Sequence, residues 1–100
     1  MSLFVIEGTD APDNAAARAA HTDAHVAYLL AMGERFVIGG PFLSAGDNDN
    51  PIGSLVVIEV DTQKEAEAFA AADPFVLNGV YADVTVRRWA FGHLRASGRG

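Results

Sequence analysis

Two segments of this chain are apolar on both faces, and that restricts the folds open to it. In Leu3 to Ile6, Leu3 and Val5 point one way while Phe4 and Ile6 point the other. In Ser54 to Val60, Leu55 and Val57 oppose Val56, Ile58 and Val60. A strand with one wet face alternates apolar and polar residues, and these do not. Both faces of the resulting sheet must therefore be covered. Soluble monomers rarely leave so large an apolar patch in water. Its burial is worth about 25 cal/mol per Å² of apolar area.

The rest of the chain supplies cover for one face only. Gly8, Thr9 and Asp10 close the first strand. Pro12, Asp13 and Asn14 offer helix-start chemistry, because Asp and Asn side chains accept the free amides of a first turn. The pattern predicts a helix from Ala15 to Met32, stopped by Gly33. A second strand runs from Arg35 to Gly39 and ends at Pro41. Ser44 to Pro51 is rich in turn formers and reads as a loop. The third strand is Ser54 to Val60. Thr62 and Glu65 make a capping box for a helix from Gln63 to about Ala72. Asp73-Pro74 breaks that helix, and Pro74 to Leu77 forms a short helical turn. Val84 to Trp89 is the fourth strand. The order βαββαβ is that of an α+β, ferredoxin-like fold with a four-stranded antiparallel sheet and both helices on one face. Residues 1–91 form one domain and residues 92–100 a polar, mobile tail. With two helices on one face, a second copy packed sheet to sheet is the simplest cover for the other.

Composition narrows the function. The 100 residues suit a single domain, and a chain this short has little private core. Thirteen acidic residues against seven basic ones give a charge of −6, which repels nucleic acid. Arg87, Arg88, Arg95 and Arg99 read as a solvated strand end and tail rather than a binding patch. No apolar run approaches the ~20 residues that span a bilayer. Cysteine is absent, so disulfides, thiolate metal sites and cysteine nucleophiles are excluded. Without a signal-like start, the expected location is the cytoplasm.

Chemistry-bearing residues gather on the first helix. Arg18, His21, Thr22, His25, Tyr28, Leu29 and Met32 share one stripe at about 100° per residue. Ala16, Ala19, Val26, Ala27 and Leu30 lie on the other side, small or apolar enough to face the sheet. The stripe reads either as a pocket wall or as the wet face of an amphipathic helix. His21 and His25 have a metal-compatible spacing, but no further ligand cluster accompanies them, and no metal is expected. Asp47, Asn48 and Asp49 lack the spacing and terminal glutamate of a calcium loop. Gly39-Gly40-Pro41 lacks the lysine and following helix of a phosphate loop. Ser54 has no visible base beside it. Asp73 reads equally as the cap of the turn that follows it and as a carboxylate orienting a histidine.

Taken together, several motifs resemble the YCII-related (YciI-like) family. They are Phe4-Val5-Ile6, Arg18 followed by Ala24-His25-Val26-Ala27-Tyr28-Leu29, Gly39-Gly40-Pro41, Pro51-Ile52-Gly53-Ser54, Ala72-Asp73-Pro74-Phe75 and Gly79-Val80. They run in the family's order over about residues 3 to 91. The resemblance implies membership of the dimeric α+β barrel superfamily and a homodimer joined through the sheets. It also implies a His–Asp dyad, here His25 and Asp73, with Arg18 as a further charged member. Family members commonly carry an arginine and a proline just before the histidine, where this chain has Thr22 and Asp23. Some relatives resemble muconolactone isomerases and chloromuconolactone dehalogenases. The expectation is a lyase or isomerase acting on a small molecule without a cofactor, with Tyr28 and Ser54 as pocket hydrogen-bonders. The alternative is a non-catalytic small-ligand-binding or regulatory dimeric module.

Overall fold

The computed structural model describes residues 1–46 and 49–93. The strands are β1 (Ser2–Asp10), β2 (Phe36–Leu43), β3 (Pro51–Val60) and β4 (Tyr81–Trp89), and the helices are α1 (Ala15–Leu30), α2 (Gln63–Ala71) and α3 (Pro74–Leu77). All pairings are antiparallel, in the order β2-β3-β1-β4. This is the ferredoxin-like α+β fold that the element order predicts. Residues 94–100, with Arg95, Arg99 and most of the expected tail, lie outside the described residues, as do Asp47 and Asn48.

One face of the sheet carries both helices. Phe4, Ile6, Val56, Ile58 and Val60 pack there with Leu29 of α1 and with Ala66 and Ala70 of α2. The residues between them look the other way. Leu3, Val5 and Leu55 are only half-buried, Ile38 is 60% exposed and Trp89 43%. The two-sided apolar pattern thus becomes one closed core and one open apolar face. On that open face Glu7 meets Arg87 at 2.7 Å, an exposed pair of small energetic weight.

Several local expectations change. Pro41 does not end the second strand but sits inside β2, paired with Ser54. β2 is an edge strand, where proline's missing N–H is tolerated. Pro51 likewise opens β3 instead of closing the loop, as a first strand residue without a ladder donor can. The capping box forms as read: the Glu65 amide donates to Thr62 Oγ1 at 3.1 Å. Asn14 stands at the N-cap of α1 but makes no side-chain cap bond. Its Nδ2 donates instead to the Val80 carbonyl at 2.8 Å, tying the helix start to β4's approach.

The largest change concerns α1. His25 and Leu29 are its buried residues, while Ala16, Ala19 and Ala27 are exposed, as are Val26 at 44% and Leu30 at 61%. The stripe bearing Arg18 and His25 is therefore the one turned inward. Polar side chains can face a protein interior when each finds a partner, and these do.

Candidate active site

β1 ends and α1 begins at one corner of the molecule, where Asp10 and Arg18 meet. Arg18 Nε donates to Asp10 Oδ2 and Nη2 to Asp10 Oδ1, both at 2.9 Å. Nη2 also reaches the Gly53 carbonyl at 3.1 Å and Ser54 Oγ at 3.2 Å. The guanidinium is thus held to β1 and to the start of β3, with its carbon 5.0 Å from the centre of the Phe75 ring. Burial alone would raise the Asp10 pKa. Hydrogen bonds from Arg18 and Asn14, with the Arg18 charge, outweigh it and hold the carboxyl below its ordinary 3.8.

Two turns further along α1, His25 is 7% exposed and faces α3. Its Nδ1 lies 2.8 Å from Oδ1 of Asp73, itself 6% exposed. The same Oδ1 accepts the Phe75 amide at 2.8 Å. The cap and the orienting carboxylate, two alternatives on the sequence, are one atom doing both. Phe75 follows in the same turn, and its ring stacks on the imidazole at 3.9 Å between centroids and 6° between planes. Carboxylate and ring together fix the imidazole's direction and its tilt. With Nδ1 engaged, Nε2 is the nitrogen left for the adjoining space.

That space is a cavity of about 370 Å³ between α1, β2, the start of β3 and α3. Arg18, Thr22, His25, Ser54 and Phe75 line it, with apolar walls from Val26, Leu29, Phe36 and Val56. The volume suits a small ring compound. A larger groove of about 680 Å³ lies on the open sheet face, lined by apolar side chains with Arg87 and Arg88. Its lining holds no buried acid or base, whereas His25, paired with Asp73, lines the smaller cavity.

Of the residues singled out on the sequence, His25, Asp73, Arg18 and Ser54 come together. Tyr28 does not. Its hydroxyl donates to the Phe69 carbonyl at 2.7 Å, its ring stacks on Phe69, and it lies outside the cavity wall. Burial, with the Asp73 charge second, raises its pKa. Thr22 lines the cavity but turns its hydroxyl to the Arg18 carbonyl at 2.6 Å. Asp23 is exposed and lines no part of it, so the negative charge before His25 does not enter the site. Among the described residues no three metal-ligating side chains gather.

Two residues escaped the sequence reading. Asp10 looked like part of a turn, and only a carboxylate eight residues before Arg18 hinted at a partner. Tyr81 opens β4, and its ring lies so close to β1 that a Cβ on Gly8 would stand 2.7 Å from it. It meets Phe75 edge-on at 5.5 Å. Burial pushes the Tyr81 hydroxyl up to about 12, against the Ser54 hydroxyl, which lowers it.

Comparison with known proteins identifies the family. The YCII-related domain family matches residues 2–90. Protein YciI of Escherichia coli O6:H1 (strain CFT073) is 34% identical over 91 residues, covering 85% of this chain and 93% of its own length. An uncharacterized protein of Haemophilus influenzae is 36% identical, covering 84% and 92%. Among solved structures, 5-chloro-2-hydroxyhydroquinone dehydrochlorinase (TftG) from Burkholderia phenoliruptrix AC1100, in complex with 2,5-dihydroxybenzoquinone, superposes with a TM-score of 0.83. It is 33% identical, and the match covers 90% of this chain and 95% of that one. Protein Atu4242 from Agrobacterium tumefaciens, at 10% identity and a TM-score of 0.54, shares the fold, covering 96% of this chain and 98% of its own.

Proposed function

Because the chain belongs to the YCII-related domain family, we propose that it is a small-molecule enzyme of lyase or isomerase type in which His25 moves the proton. The observation that carries this reading is the 2.8 Å contact between His25 Nδ1 and Asp73 Oδ1 beside a ring-sized cavity. A carboxylate at Nδ1 keeps the proton there and leaves the Nε2 lone pair as a base. Nε2 takes a proton from a hydroxyl or an activated carbon of the bound ring. The electron pair so released either expels a leaving group such as chloride or shifts a double bond. In elimination the net loss is HCl. In isomerisation the imidazolium returns its proton to a second atom of the same ring. Arg18 polarises a ring oxygen, and Ser54 supplies a further hydroxyl at the wall. Dehydrochlorination in TftG supports the elimination branch by similarity. The likeness of some relatives to muconolactone isomerases supports the other.

On the same reading residues 1–91 are the working domain of a cytoplasmic homodimer that needs no cofactor. Its two open apolar faces are joined sheet to sheet, as in the dimeric α+β barrel superfamily.

The test is a panel of chlorinated hydroquinones and small lactones assayed with wild type and with His25→Ala. Loss of general acid–base catalysis lowers turnover by about 10²–10⁴-fold. Turnover that persists unchanged in His25→Ala overturns the role. A second reading, a non-catalytic binding module, draws on Thr22, whose hydroxyl is turned to its own helix where relatives commonly carry an arginine. Thermal stabilisation by panel compounds without any turnover supports that reading instead.

A further inference from the structure

Among the described residues Arg18 is the one guanidinium in the cavity wall, and most of its donors are already engaged. A guanidinium carries one N–H on Nε and two on each Nη. Nε serves Asp10. Nη2 serves the other Asp10 oxygen and, on its far side, the Gly53 carbonyl and Ser54 Oγ. Among the described residues Nη1 makes no hydrogen bond. A carboxylate is gripped in the fork mode by two parallel N–H groups from two different nitrogens. Asp10 occupies the Nε/Nη2 fork. The Nη1/Nη2 fork needs an Nη2 hydrogen that β3 has taken. What remains is one nitrogen at the tip, suited to a single oxygen. Asp10 also offsets the Arg18 charge, since its carboxyl is held in the ionised form.

We propose that Asp10 is a positioning residue that makes this cavity select planar rings presenting a single carbonyl or hydroxyl oxygen, and disfavour rings bearing a carboxylate. This deepens the reading of the cavity as a substrate site and rests on it. The ring oxygen meets Arg18 Nη1 while the exchangeable proton lies at His25 Nε2. Chlorinated and hydroxylated hydroquinones fit this description. Lactones with a carboxylate arm do not, so the elimination branch is the one this chain is built for.

The experiment measures binding of two matched probes by calorimetry under anaerobic conditions. They are 1,2,4-trihydroxybenzene and 2,5-dihydroxybenzoic acid, which differ by a hydroxyl against a carboxylate. Wild type binds the trihydroxybenzene about fivefold or more tightly. Asp10→Asn, which removes the charge and one fork acceptor, narrows that ratio by about threefold or more by admitting the acid. A wild type that binds the acid as well or better, or neither probe, overturns the proposal. So does a folded Asp10→Asn with an unchanged ratio. If Asp10→Asn does not fold, the wild-type ratio decides. A wild type that shows the preference but turns nothing over refutes the catalytic reading and leaves the selectivity standing.

Discussion

The two faces of this sheet are made from the same kinds of side chain, alternating along the same strands, yet they have different contents. On the helix-covered face, Phe4, Ile6, Val56 and Ile58 close a core into which His25, Asp73 and Ser54 are buried, each with a polar partner. On the open face Leu3, Val5, Leu55 and Val57 line a groove whose charged groups, Arg87 and Arg88, are exposed. A buried polar group costs about 1–3 kcal/mol if left unpaired, so its presence needs a reason beyond packing. A plain apolar face needs only a cover. On the proposed reading, chemistry belongs to one side and assembly to the other.

The sharpest way to break that assignment is at Asp73. Asparagine caps a helix about as well as aspartate. Asp73→Asn is therefore expected to leave the thermal midpoint nearly unchanged while turnover falls about hundredfold or more, through the lost carboxylate on the imidazole. Equal turnover in the two proteins returns Asp73 to a purely structural part. The other face is tested by Ile38→Glu. Ile38 is 60% exposed in the protomer, so the fold should hold. Light scattering is expected to show the mass falling from dimer to monomer. A dimer that survives the charge removes this face from the interface.

Smaller effects sharpen the same line. Gly8→Ala forces a Cβ against the Tyr81 ring and is expected to cost about 1–3 kcal/mol in chemical denaturation, since overpacking is rarely absorbed. Tyr81 also sets an alkaline limit. Its folded pKa of about 12 stands above the ordinary 10.0, so the neutral phenol is favoured by folding. That stability is complete below pH 10 and is lost as pH rises through about 12. Tyr81→Phe is expected to flatten this part of the pH–stability profile. The least effect is that of Thr62→Ala, about 1 kcal/mol from the lost cap, with no change in turnover.

The fold was legible because Phe4, Ile6, Val56 and Ile58 announce strands by composition, and Thr62 with Glu65 announces a helix by local bonding. Pro41 and Pro51 misled because proline's effect depends on where a strand lies in the sheet, which no single segment reveals. The facing of α1 was misassigned for a related reason. The stripe of Arg18 and His25 reads as either a pocket wall or a wet face until Asp10 and Asp73 are known to wait opposite it. The dyad could be named only through the resemblance. No local pattern links residue 25 to residue 73, because their meeting depends on how α1 and α3 pack. Asp10 and Tyr81 were missed on the same ground: each acts at a strand end whose neighbours come from distant sequence.

The shared oxygen of Asp73 has a consequence for damaged molecules. It holds the Phe75 amide and the His25 imidazole at once, each at 2.8 Å. A molecule whose α3 has frayed therefore also releases its imidazole, and loses the ring stacked upon it. On the proposed reading, local opening at α3 is expected to undo the dyad before global unfolding begins. Hydrogen exchange at the single Phe75 amide would report that opening, because the amide is free only when Asp73 Oδ1 has let go of it.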